Sequence, residues 1–406
     1  MKSNYDILGN HIRLIDTRNR ESITDRVLGI NIDKFFMPSV ANVIGTDLSK
    51  YKLITKGKFA CNPMHVGRDE RLPVALYDEE EPAIVSPAYF MFEVVDNSIL
   101  NEDYLMMWFR RPEFDRICWL HTDGSVRGGI TWDDICRLEL PIPPIEKQLE
   151  IANSYKAITE RIALKQKIND NLEAQAQALF TSWFVNFEPF DHSNDEDGKA
   201  LPPDNWENGT LGSCIDFLNG YAFKSDDLLD EPTDNCYDVF KMGNIKKGGG
   251  LNYDGTKSWI EREFCIGLER FVLRTGDILM SMTDMKENVA LLGHTALMDI
   301  ENKYIVNQRV GLLRPNGYLS ISPYQIYLLT NNPAFLRELR RHAHIGVQVN
   351  LSKEDIVNSR LIYAPKEVNV NFENLVRPIF KAISLNNAEI LKLNDVAIQI
   401  QAQLSR

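Results

Sequence analysis

The sequence predicts an α+β protein built twice: two similar α/β domains joined by a long antiparallel two-helix coiled coil, with an internal pseudo-twofold duplication. Three observations carry this. The segment ITWDDICRLELPIPPIEKQ at 130–148 returns as LSKEDIVNSRLIYAPKEV at 351–368, so that Ile130, Thr131, Asp134, Ile135, Leu140, Pro144 and Glu146 stand 221 positions before Leu351, Ser352, Asp355, Ile356, Leu361, Pro365 and Glu367. Short β-like runs such as KLITKGKFA and RFVLRTGDILMSM are broken by Gly, Asn and Asp turns, the pattern of a mixed domain rich in irregular loops. Two long stretches carry apolar residues on alternating steps of four and three, the signature of a helix pair.

The repeat extends in both directions. IVSPAYFMF at 84–92 faces IVNQRVGLL at 305–313, and RRPEF at 110–114 faces NNPAF at 331–335, both at the same offset of 221. Further upstream the offset shifts, as diverging loops require: KGKF at 56–59 faces TGDI at 275–278, and LGNHI at 8–12 faces LGSCI at 211–215. Two copies of one unit call for a pseudo-twofold molecule. The expected boundaries are a first domain at 1–142, a central helix at 143–190, an acidic solvated linker at 191–209, a second domain at 210–365 and a distal helix at 366–406.

After Pro143-Pro144 the chain has no Gly or Pro through Phe184. Its seam reads Ile151, Tyr155, Ile158, Ile162, Lys165, Asn169, Leu172, Ala176, Leu179 and Trp183, polar only in the middle. The second copy gives Phe372, Val376, Ile379, Ile383, Asn386, Ile390, Leu393, Ala397, Ile400 and Leu404. Matching seams should pair, and connectivity makes the pair antiparallel, because a parallel one needs a return connection as long as a helix. Such helices span roughly 57 Å at 1.5 Å per residue, a bar with one domain at each end. The polar seam residues either mark a splay or, as Asn169 and Asn386, fix register. The block holding Leu179, Phe180, Trp183 and Phe184 has more apolar surface than one helix covers, so it should also contact a domain or a partner subunit.

Composition limits the function. With 406 residues, 44% apolar and 25% charged, the chain fits two or three globular domains. No apolar run approaches the roughly 20 residues of a membrane span, and MKSNYDILGN is not a signal peptide, so a cytoplasmic protein without membrane contact is expected. Six cysteines without a CxxC pair point to reduced thiols, with no metal site and no cofactor. The net charge of −12 leaves a polyanionic partner only local basic faces to meet. For catalysis, Asn332-Pro333-Ala334-Phe335 is similar to the Asn-Pro-Pro-Phe/Tyr tetrad of adenine methyltransferases, but the third residue differs and the first copy reads Arg111-Pro112-Glu113-Phe114. A helix ended by proline is the plainer reading, and Gly248-Gly249-Gly250 reads as a turn.

The run LPIPPIEKQLEIANSYKAITERIALKQKINDNLEAQAQALFTSWFVNFEP at 140–189 resembles the central conserved region of the specificity subunits of type I restriction-modification systems. TLGSCIDFLNGYAF at 210–223, with VFKMGNI at 239–245, resembles the start of such a subunit's target-recognition domain; only the distal helix departs, LIYAPKEVNVNFENL lacking the Pro-Pro-Ile-Glu-Gln form. The resemblance implies a non-catalytic DNA-binding subunit of an ATP- and S-adenosylmethionine-dependent restriction and DNA methylation complex, a defence against foreign DNA. One domain would read each half of a split, asymmetric double-stranded DNA target, while the helices measure the spacer and dock two methyltransferase (modification) subunits, which motor-nuclease (restriction) subunits join. The alternatives are the specificity subunit of a related type IIB-like system and a coiled-coil adaptor that does not touch DNA.

If the domains read DNA, their basic and amide side chains are the candidates, since Arg suits guanine or phosphate and Gln or Asn suits adenine. In the first domain these are Arg68, Arg71, Arg110, Arg111, Arg116 and Arg127. In the second they are Lys246, Lys247, Arg337, Arg340, Arg341, His342, His344, Gln348 and Asn350. Helix pairing and subunit contact fall to Ile151, Tyr155, Ile158, Ile162, Leu172, Leu179, Phe180, Trp183 and Phe184 with Val376, Ile379, Ile383, Ile390 and Leu393.

Overall fold

The computed structural model describes residues 4–404 apart from 42, 44, 65, 123–127, 286–288 and 347. The chain divides into two compact units, Met1–Leu164 with Glu389–Arg406, and Lys165–Ala388. Both are mixed α+β.

In the first unit, β1 (Tyr5–Ile7) pairs antiparallel with β10 (Glu139–Pro141). A four-stranded sheet runs β2 (Ile12–Leu14), β9 (Phe90–Val94), β6 (Lys58–Cys61), β7 (Val74–Tyr77), all antiparallel. A second runs β4 (Phe36–Pro38), β3 (Val27–Ile30), β8 (Ala83–Val85), β5 (Lys52–Ile54), with β3 and β8 parallel. The one-turn α1 (Val66–Asp69) precedes α2 (Glu102–Phe109), α3 (Pro112–Leu120) and α4 (Trp132–Cys136). Phe59, Phe92, Phe109 and Phe114 form the aromatic centre, Phe59 and Phe92 stacked with centroids 5.0 Å apart. Ile151 and Ala152, from the long helix α5 (Ile145–Phe184), close this core together with Leu404.

The second unit follows the same order of elements. β11 (Glu207–Thr210) pairs with β22 (Arg360–Tyr363), and one sheet runs β12 (Ile215–Asn219), β19 (Val310–Pro315), β15 (Ile278–Ser281), β17 (Thr295–Leu297). The other runs β14 (Trp259–Glu261), β13 (Cys236–Phe240), β18 (Tyr304–Val306), with β13 and β18 parallel as β3 and β8 are. Where the first unit has β5, an isolated bridge joins Val272 to Ile305. A small sheet of β16 (Thr283–Met285), β21 (Gln348–Asn350) and β20 (His344–Ile345) completes the strands. The helices are α6 (Leu211–Cys214), α7 (Pro323–Thr330), α8 (Pro333–Arg341), α9 (Lys353–Val357) and α10 (Lys366–Gln403).

Local chemistry explains why these elements form where they do. Thr131 and Ser352 each accept from the backbone three residues on, while Asp134 and Asp355 return the bond, so α4 and α9 open with the same capping box. Asn101 and Ser322 cap α2 and α7. The tetrad Asn332-Pro333-Ala334-Phe335 follows a helix end and is also a helix start: α7 ends at Thr330, and Asn332 then caps α8 by accepting from Ala334 N at 2.9 Å, with Pro333 in its first turn. Pro112 opens α3 in the same way. The acidic stretch 191–209 is ordered by its aromatic flanks, Phe187 and Trp206 packing with Ala364, and β11 begins inside it.

Within each unit the portions of α5 and α10 run antiparallel. In the first, the Gln401 amide donates to Tyr155 OH at 3.0 Å and Arg161 pairs with Glu389. In the second, Lys165 Nζ donates to Asn386 Oδ1 at 2.9 Å while Phe180 meets Phe372, centroids 6.1 Å apart. Asn386 donates to Asn169 at 2.8 Å, Asn169 donates to Asn387 at 2.9 Å, and Asn387 donates to Asp299 at 3.1 Å. The polar middle of the seam is therefore a satisfied hydrogen-bond chain rather than a splay. Ile158, Ile162, Leu172, Leu179, Ile379, Ile383 and Leu393 are half-buried, and Ile151, Phe180, Val376 and Ile390 are buried.

Gly220 marks a point of close backbone approach after β12. A Cβ there would lie 2.0 Å from Asn307 O, so Gly220→Ala forces the two backbone segments that follow β12 and β18 apart. We expect a loss of about 2–3 kcal/mol, read as a fall of about 5–10 °C in the Tm of this unit.

Candidate nucleic-acid interface

The α2–α3 junction gives the first unit a cleft of about 660 Å³, into which Arg71, Arg110 and Arg116 all project, with Trp119 on the wall and Lys34 and Asp115 on the floor. Three of the arginines singled out in the sequence are thus brought together. Arg71 pairs with Asp33 at 2.8 Å. Arg110 and Arg116 are exposed and, among the described residues, make no side-chain ion pair or hydrogen bond, which leaves both guanidinium groups free for an anion or a base edge. Trp119 is 40% exposed, an aromatic face beside them.

The other candidates of this unit are placed differently. Arg68 lies outside the cleft lining and pairs at 2.6 Å with Asp69, which belongs to it, and Arg111 turns inward, its side chain only 12% exposed and bonded to Glu113 at 3.3 Å. Arg127 lies outside the described residues.

In the second unit the basic residues gather around the α7–α8 junction, the equivalent place. Lys246 and Lys247 are exposed on a tight turn in which Gly248, Gly249 and Gly250 all hold positive φ, with Gly249 N donating to Lys246 O at 3.0 Å. Gly250 N donates to Thr295 O at 2.9 Å, and Thr295 N donates to Asn331 Oδ1 at 3.0 Å, so the turn is stitched to the end of α7. Below it Tyr327 OH donates to Glu173, a carboxylate whose pKa burial pushes up while Lys246 opposes the shift.

Arg337 stands exposed without a side-chain partner among the described residues, 221 positions after Arg116. Arg341 pairs with Glu338 at 2.7 Å, His342 lies 3.7 Å from the same carboxylate, and His344 lies 3.3 Å from Asp355. Arg340 is committed to the fold: its Nε donates to Leu292 O at 2.9 Å, and partial burial lowers its pKa. Gln348 sits half-buried in the ladder opposite Met285, and Asn350, exposed, accepts from Thr283 Oγ1 at 2.9 Å. Among the described residues no group of His, Cys, Asp or Glu has the arrangement of a metal site, and no helix is long and apolar enough to cross a membrane.

Sequence reasoning missed Lys34, Asp115 and Trp119. One signal was present: Asn31-Ile32-Asp33-Lys34, which follows β3, returns as Asn244-Ile245-Lys246-Lys247 after β13.

Residues 203–394 match the family model for the type I restriction modification DNA specificity domain. This stretch, just under half of the chain, is therefore similar to the DNA specificity domain of type I restriction-modification systems. It is 24% identical over 306 residues to the type I restriction enzyme MjaIX specificity subunit of Methanocaldococcus jannaschii, 72% of this chain and 66% of that protein. To the type I restriction enzyme HindI specificity subunit of Haemophilus influenzae it is 29% identical over 159 residues, 39% of this chain and 34% of that one. The chain therefore spans less than two thirds of the length of these specificity subunits. The crystal structure of a type I restriction-modification system S subunit from M. genitalium shares the fold, with a TM-score of 0.55, 13% identity and coverage of 98% of this chain and 95% of that one.

Proposed function

We propose that this chain is the non-catalytic sequence-specificity subunit of a type I restriction-modification complex, each unit reading one half of a bipartite, asymmetric DNA target. The observation that carries the reading is one scaffold with two different sets of surface side chains. From α2 through the start of α5 the elements recur at an offset of 221 as α7 through the start of α10, yet of the cleft residues Arg110, Arg116 and Trp119 only Arg116 keeps its type, as Arg337, while Arg110 gives way to Asn331 and Trp119 to Arg340, which is bonded to backbone carbonyls. A duplicated scaffold with unlike contacts suits unlike half-sites, as dimeric readers suit like ones. In this reading α5 and α10 form an antiparallel coiled coil that relates the two domains by a pseudo-twofold and scaffolds two methyltransferase subunits. Motor-nuclease subunits join for ATP-dependent restriction, the methyl donor is S-adenosylmethionine, and the complex works in the cytoplasm.

Long-read mapping of DNA methylation in cells with and without the chain tests this. A bipartite methylated motif should vanish on deletion; an unchanged methylome in cells that express the complex would count against the reading. For the first unit, replacing Arg110 and Arg116 together by alanine should weaken DNA binding and lower the slope of log affinity against log salt by about 1 for each phosphate that is no longer neutralised. Filter binding at several salt concentrations reads it, and an unchanged affinity and slope would remove this cleft from the DNA face.

A further inference from the structure

The floor of the arginine cleft holds an ion pair whose neighbours in sequence are not random. Lys34 is 4% exposed, and its Nζ donates to Asp115 Oδ1 at 2.6 Å and to Phe109 O at 2.6 Å. Asp115 Oδ1 also accepts from Leu72 N at 3.0 Å, and the Lys34 ammonium lies 4.6 Å from the centre of the Phe114 ring. The node thus binds three separate segments, at Phe109, Asp115 and Leu72. Arg110, Arg116 and Arg71 are the very next or preceding residues on those segments, and Asp33, adjacent to Lys34, pairs with Arg71.

Lysine is rarely buried this deeply without a specific reason, and Lys34 also holds a positive φ of 67°, in the left-handed region that lysine disfavours. A contribution to stability is a weak explanation, because a buried ion pair gains little over a well-packed apolar one. The second unit makes the comparison directly. At the position equivalent to Asp115, 221 residues on, it has Leu336, buried at 5% in its core. Lys246 and Lys247, in the recurrence of the Lys34 turn, point to solvent. The same order of elements is built there with an apolar residue, so this fold does not require the pair.

We infer that Lys34 and Asp115 are positioning residues: their buried pair fixes the three segments that carry Arg71, Arg110 and Arg116, and so sets the spacing at which these guanidinium groups meet the acceptor oxygens and nitrogens of DNA. Neither residue touches the nucleic acid. The inference rests on the reading of this cleft as a DNA-contacting surface. Arg110 and Arg116 have no side-chain partners of their own among the described residues to orient them, so their geometry follows from the backbone that the node holds. A bidentate contact to a base edge tolerates little displacement, and a phosphate contact tolerates more, so loss of the node should reduce discrimination more than overall affinity.

The test uses the full chain in complex with its methyltransferase subunits and duplexes carrying the motif found by methylation mapping. Single-base changes are placed in either half of that motif. Asp115→Leu copies the Leu336 of the second unit, and Lys34→Met removes the charge that would otherwise be left buried without its partner. We expect this variant to fold and assemble, and to lose about tenfold or more of its discrimination in the half read by the first unit while keeping that of the other half. If the Arg110→Ala, Arg116→Ala variant weakens binding but the apolar pair discriminates like the wild type, the positioning role is overturned and the cleft reading stands. If the arginine variant binds like the wild type, the cleft reading itself fails and the inference falls with it. Should the apolar pair not fold, Asp115→Asn, which keeps the shape and still accepts from Leu72, is measured in its place. A severalfold loss of discrimination confined to one half supports the role, and wild-type discrimination overturns it.

Discussion

On the proposed function, exchanging residues 1–142 for the corresponding region of a type I specificity subunit is expected to replace one half of the recognised sequence and leave the other half unchanged. The reason is that each unit closes its own core and presents its own basic cluster, Arg110 and Arg116 in one, Lys246, Lys247 and Arg337 in the other. The effect should be large. Each mismatched base pair costs about 1–3 kcal/mol, roughly additively, so losing a whole half-site should weaken binding to the original target on the order of a thousandfold or more. The donor domain must still accept Ile151 and Ala152 from α5 and Leu404 from beyond α10, which are part of the first core. Methylation mapping reads the result, and a change in both halves together would show that the domains do not read independently.

Phe372→Ala should produce the largest loss of stability from one side chain. Phe372 is fully buried, and its ring lies 4.8 Å from that of Phe184, 5.6 Å from Trp183 and 6.1 Å from Phe180, centre to centre. It is thus the residue through which α10 fastens to the aromatic end of α5. Truncating a buried Phe costs about 3–5 kcal/mol, part transfer energy and part cavity. Chemical denaturation followed by tryptophan fluorescence, to which Trp183 contributes with the five other tryptophans, measures it; a change below about 1 kcal/mol would mean the aromatic end of α5 is held by other side chains.

The helical and repeated parts of this fold were legible because their signals are local and periodic. The offset of 221 ties α2, α3 and α4 to α7, α8 and α9 with equal lengths, and the four-three seam names residues that are buried or half-buried. The prolines were legible only on one side: α2 and α7 end before Pro112 and Pro333 as expected, but the same prolines also begin α3 and α8, since a first-turn position needs no backbone donor. The cleft was legible only in part. Arginine at 71, 110 and 116 stands out by type, whereas Lys34 and Asp115 are 81 residues apart, and nothing local reports that a charge is buried against a distant partner. Arg340 shows the converse, a surface-type residue spent on the carbonyls of 290 and 292.

The first unit is not continuous in sequence. Its core takes Leu404, with Ile400 packed beside it, and Tyr155 is bonded by Gln401, whereas the second unit lies entirely within Lys165–Ala388. During translation, chains fold as their segments emerge, N-terminal domains ordinarily first. Here that order is inverted at the last step: the unit whose residues leave the ribosome first is the one finished last, after more than two hundred intervening residues have been made. Until then Ile151 and Ala152 lack the cover that residues 389–404 supply, so the nascent chain carries an unfilled helix groove through most of its synthesis. A premature stop near codon 389 would therefore damage the first unit, not the second.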